Sequence, residues 1–108
     1  MKAKNILDGT PDATAEERFT TLVSANGLHV HRIVSQGQAS PPGFWYDQEE
    51  NEWVMVLEGT AAVQFEGEAE PVELGRGSYL EIPAHARHRV VRTGPDQKTV
   101  WLAIHYRT

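Results

Sequence analysis

The sequence predicts an all-β sandwich or barrel, and three observations predict it. From Leu28 onward apolar residues alternate with others at the two-residue period of a strand. The runs are short, recur about every ten residues and are separated by glycine- or proline-containing turns. No helical pattern is interleaved among them, as a doubly wound parallel sheet would require.

The first 27 residues read as a leader and a short helix. Asp8-Gly9 and Thr10-Pro11 are turn signals within the leader. Thr14-Ala15-Glu16-Glu17 has the spacing of a capping box, a hydroxyl with a carboxylate three positions on. Phe19, Leu22 and Val23 follow at helical spacing, and Asn26-Gly27 is a fitting helix end. This helix is expected to lid one end of a sheet formed by residues 28–108.

In the next stretch Leu28, Val30 and Arg32 alternate with His29, His31 and Ile33, which puts two histidines on one face. That strand is expected in the outer sheet, with both histidines at the surface. Ser35 to Gly43 is a polar loop, and Phe44-Trp45-Tyr46 is an aromatic cluster that favours extended backbone. An acidic connection, Asp47 to Asn51, leads into the strand Glu52 to Glu58, which Gly59 ends. Thr60 to Phe65, Ala69 to Leu74 and Ser78 to Ile82 follow, separated by Glu66-Gly67-Glu68 and Gly75-Arg76-Gly77. After the Pro83 corner come His88 to Arg92, a Thr93-Gly94-Pro95-Asp96 turn, and a last strand from Lys98 to Tyr106.

Composition excludes several function classes. Ten basic and fifteen acidic residues give the 108-residue chain a net charge of −5. Such a balance disfavours nucleic acid, whose binding rests on clustered Lys and Arg. With no cysteine there is no disulfide framework, thiolate nucleophile or Cys-ligated metal. Neither a signal-peptide core nor an apolar run of membrane-spanning length is present, so a soluble cytoplasmic protein without a membrane partner is expected.

Two residues stand out chemically. Glu52 shares its strand face with Val54 and Val56; if that face is interior, the carboxylate must be paired, hydrogen-bonded or metal-bound. At the strand edge it would be solvated instead. His88 begins a strand with Val90 on its own face. A glutamate, six residues and a glycine (Glu52 to Gly59) precede a glycine, five residues and a proline (Gly77 to Pro83), with His88 five positions further on. These two stretches resemble the two sequence motifs of the cupin family, over roughly residues 28–106.

The resemblance implies a jelly-roll barrel (a double-stranded β-helix) with a ligand cavity at one mouth, commonly dimeric, here carrying one short N-terminal helix. It makes Glu52 and His88 metal ligands. Metal-binding cupins also carry a His-x-His pair just upstream of the glutamate. Here those positions hold Trp45 and Asp47 in one register or Tyr46 and Gln48 in the other. Asp47 is the substitute third ligand, and the oxygen-rich set Asp47, Glu52 and His88 suits Fe, Mn or Zn. A metal-free cavity is the alternative. Tyr46 and His85 are the candidate substrate contacts, though His85 reads equally as an exposed loop residue. His105 shares a face with Trp101 and Ala103 and could reach a cavity or a subunit contact.

The resemblance therefore points to a metal-dependent enzyme acting on a small polar metabolite, with a sugar isomerase-like reaction among the possibilities. The alternative is a non-catalytic cupin that binds a carbohydrate or other small ligand. Trp53, Met55 and Leu57 form a second apolar face on the Glu52 strand, so a homodimer is expected.

Overall fold

The computed structural model describes residues 1–108 and contains eight strands and no helix. They are β1 (Arg18–Ala25), β2 (Leu28–Ser35), β3 (Asn51–Glu58), β4 (Ala61–Phe65), β5 (Val72–Leu74), β6 (Tyr79–Ile82), β7 (His88–Thr93) and β8 (Thr99–Tyr106). One sheet has the order β1-β2-β8-β3-β6 and the other β5-β4-β7. Every pairing is antiparallel. No helix is long and apolar enough to cross a membrane.

The expected N-terminal helix is absent, and its residues form β1 instead. Thr20, Thr21 and Val23 are β-branched and fit a pleated strand better than a helix. Strand β1 pairs with β2 from Arg18↔Val34 to Ala25↔Leu28, with a bulge between Thr21 and Val23. Asn26-Gly27 thus joins a hairpin, with Gly27 at φ +76°. The apparent capping box is used otherwise. Thr14 donates its hydroxyl to Asp12 Oδ1 at 2.8 Å, and Glu17 accepts a hydrogen bond from Ser35.

The leader before β1 is tied to the sheets by donors on later strands. Arg32 Nη1 donates to the carbonyls of Ile6 and Asp8, and Lys98 Nζ to that of Thr10.

The core lies between the sheets. Val54 and Val56 of β3 meet Ala61 and Val63 of β4, Leu74, Ile82, Trp101 and Ala103. Full burial of each valine contributes about 1.5–3 kcal/mol. Trp101 satisfies its indole N–H by donating to Ser35 Oγ at 3.1 Å. Strand β3 follows its period strictly: Glu52, Val54 and Val56 are buried while Trp53, Met55 and Leu57 are half-buried on the other face. On that outer face Trp53 stacks on exposed Tyr79, with ring centroids 5.3 Å apart. Ile104 and Leu102 lie opposite Trp53 and Met55 in register, which makes one apolar outer surface.

Candidate functional site

Backbone pairing at the open end of the barrel decides which side chains enter it. The segment before β3 runs antiparallel to the start of β7. Tyr46 N–H donates to His88 O at 2.7 Å, His88 N–H to Tyr46 O at 3.2 Å, and His85 N–H to Gln48 O at 2.8 Å. Residues on such a segment alternate in direction. Tyr46 and Gln48 accordingly line a cavity of about 120 Å³. Asp47 points away and meets His85, with Oδ1 2.7 Å from Nδ1 and both side chains exposed. His85 has φ +64°, a left-handed backbone, at the place where the cupin pattern has glycine.

Glu52, His88 and His105 all line this cavity. Strand register sets Glu52 directly opposite His105 on β8. The carboxylate lies between two imidazoles: Oε2 is 3.2 Å from His105 Nε2, and Oε1 is 3.7 Å from His88 Nε2. The second distance is an ion-pair contact beyond hydrogen-bond reach. On its other side His88 Nδ1 is 2.8 Å from the Ala86 carbonyl, and the ring stacks on Tyr46 with centroids 5.4 Å apart. His88 Nδ1 thus faces the Ala86 carbonyl while Nε2 faces the Glu52 carboxylate at ion-pair distance, which favours the protonated ring.

The electrostatics follow from this geometry. Burial pushes the Glu52 carboxyl up, but His105 and His88 outweigh it and hold the pKa at about 2. Burial pushes His88 down, while Glu52 and the Ala86 carbonyl bring it to a net rise. Glu52 raises His105 against the opposing effect of burial. For Tyr46, burial and then the charges of Glu17 and Glu52 raise the phenol, so it stays protonated.

The structure thus brings together Tyr46, Glu52 and His88 among the residues singled out in the sequence. It leaves Asp47 and His85 paired with each other at the surface. Glu17, Phe19 and His105 also line the cavity. Only His105 carried a signal, its shared face with Trp101 and Ala103. The two histidines expected at the outer surface are half-buried and belong to the same neighbourhood. His31 lies 5.6 Å from His105, and His29 stacks on His31 at 6.3 Å, ring centroid to ring centroid. Burial, then the neighbouring His105 and His29, lower the His31 pKa.

A metal centre needs several lone pairs aimed at one point. Tyr46 and Gln48 face the cavity, and Asp47 is turned away. Glu52 is paired with the rings of His88 and His105. No group of three or more His, Asp or Glu side chains is placed to hold a metal ion. As arranged, the residues do not fit a metal site.

Comparisons with known proteins agree on the fold. The Cupin domain family matches residues 26–105. A Ralstonia eutropha protein described as a candidate mannose-6-phosphate isomerase is 44% identical, with TM-score 0.95 and 100% of both chains covered. A cupin superfamily protein from Desulfitobacterium hafniense has TM-score 0.80 at 14% identity, over 100% of this chain and 94% of that one. An RmlC-like cupin protein from Desulfovibrio desulfuricans has TM-score 0.74 at 23% identity, over 97% of this chain and 96% of that one. The last two show likeness of fold alone. No curated protein matches the sequence.

Proposed function

This chain belongs to the cupin family, and on that premise we propose that it is an isomerase-like enzyme moving a proton between adjacent carbons of a small hydroxy-carbonyl compound. The observation that carries this reading is the Glu52 carboxylate held between His88 and His105 at a cavity wall. The word isomerase in the name of the 44%-identical protein supports it.

A carboxyl with a pKa of about 2 is a weak base, so Glu52 is the counter-ion and the imidazoles do the transfer. One neutral imidazole takes the proton from the carbon that bears the hydroxyl. The electron pair of that C–H bond forms a C=C bond, and the carbonyl oxygen accepts a proton from the other, protonated imidazole. The product is an enediol. Returning one proton to the adjacent carbon and the other from the second hydroxyl to the ring that gave it yields the isomer, with no oxidant or reductant consumed. Glu52 stays ionised throughout and stabilises whichever ring is charged. The Tyr46 phenol is available to donate to a substrate oxygen.

This proposal replaces the expected Asp47, Glu52 and His88 metal set with the trio Glu52, His88 and His105. It is tested by following deuterium entry at the α-carbon of mannose and glyceraldehyde in D₂O. His88→Gln and His105→Gln should each lower the rate by about 10²–10⁴, while Asp47→Ala stays within about twofold. Equal rates in wild type and both histidine variants would overturn the reaction.

We further propose a homodimer through the outer face of β3 and β8. Trp53, Met55, Leu102 and Ile104 form an apolar surface that one barrel interior cannot cover. Light scattering should give twice the 12.1 kDa chain mass at micromolar concentration and a single chain mass for Met55→Glu. A wild-type monomer contradicts this.

A further inference from the structure

Resting on the proton-transfer reading above, we propose that the cavity takes an uncharged hydroxy-carbonyl compound and discriminates against phosphorylated or carboxylated ones. Its wall contains two carboxylates, Glu17 and Glu52, and no lysine or arginine. Recognition of a phosphate rests on charge-assisted donors such as arginine. The arginines flanking His88 and His105 in sequence are engaged elsewhere. Arg87 Nη1 lies 2.6 Å from Glu66, Arg89 Nη2 donates to the Ser40 and Pro41 carbonyls at 2.9 and 3.3 Å, and Arg107 lies 3.8 Å from Glu49. The charge of the two cavity imidazoles is offset by Glu52, whose oxygens face each Nε2.

Nearby charge points the same way. The charge of Glu50 reaches inward to both His31 and His105. A phosphate of charge about −1.5 to −2 is repelled by Glu17, Glu50 and Glu52, whereas hydroxyls are not.

The test compares mannose with mannose 6-phosphate, and glyceraldehyde with its 3-phosphate, in two assays. The first is α-proton exchange in D₂O; the second is binding followed by chemical-shift changes in the protein. Each neutral compound should exchange at least about tenfold faster, by kcat/KM, and bind more tightly than its phosphate. Glu50→Lys should narrow the ratio, and so should added salt, which screens exposed charges. Equal or better performance by the phosphates overturns the inference while leaving the reaction intact. Preferential binding of the neutral compounds without exchange upholds the ligand class and overturns the reaction. Absence of binding by all four overturns both.

Discussion

Glu52→Gln should lower α-proton exchange by about 10²–10⁴, the scale on which loss of the carboxylate partner of a catalytic imidazole acts, and should move its pH optimum toward acid. The variant keeps the side-chain shape and removes the counter-ion shared by His88 and His105. In the wild type both rings titrate above the ordinary histidine value of 6.5. Coexistence of one neutral and one protonated ring therefore centres above that pH. Without the carboxylate, burial acts on His88 against the Ala86 hydrogen bond alone, and the centre moves down.

The same variant has a stability signature that changes with pH. Glu52 is depressed in the folded state, so its contribution is present above 4.5 and is lost as pH falls toward 2. That shift corresponds to about 3 kcal/mol. His88 and His105 are raised, so theirs is present below 6.5 and is lost as pH rises through their folded values. Wild-type stability should peak between those limits, near pH 5–6.5. Glu52→Gln should cost about 3 kcal/mol in that window. At pH 9, further toward loss of the ring protons, it should cost less or become mildly stabilising, because a buried charge has been removed. Denaturant midpoints at pH 6 and pH 9 check this; an equal cost at both would show that Glu52 acts through packing rather than charge.

Gly59→Ala should be the most damaging single methyl addition in the chain. Gly59 turns β3 into β4 at φ +85°, and a Cβ there would lie 2.6 Å from Lys98 O, 2.7 Å from Thr99 Oγ1 and 2.8 Å from Thr99 Cα. Two of those atoms are backbone. The third belongs to a buried hydroxyl that donates to Thr60 O at 2.9 Å, so none can yield cheaply. The left-handed backbone alone costs about 1–2 kcal/mol; with the overlap, about 3–5 kcal/mol is expected. For a chain of this size that is a fall in Tm of roughly 12 °C or more. Gly67→Ala is the matched control: its φ is +87° but nothing lies within 4 Å, so only the backbone cost of about 1–2 kcal/mol applies. Comparable Tm losses in the two variants would contradict the steric account.

The strands from Leu28 onward were legible because one core imposes the two-residue period on all of them. Strand β1 was not. Thr14 and Glu17 have capping-box spacing, and Phe19, Leu22 and Val23 also fit a helical face, while the pairing with β2 that decides the matter is invisible locally. Tyr46 and Asp47 show a sharper limit. A one-residue slip turns every side chain to the opposite face, and residue types alone left both registers open. The bond between His85 N–H and Gln48 O selects the register that turns Asp47 outward. For His105 the face could be read but not the neighbour, because its place beside Glu52 depends on β8 lying between β2 and β3.

Ring-nitrogen NMR of the histidines across pH tests most directly whether one carboxylate holds two imidazoles in protonated form. His88 and His105 should be doubly protonated at pH 6 in the wild type and lose their protons above 6.5. In Glu52→Gln both should titrate lower. Neutral rings at pH 6 that titrate below 6.5, or neutral rings accompanied by stoichiometric metal in elemental analysis, would contradict it.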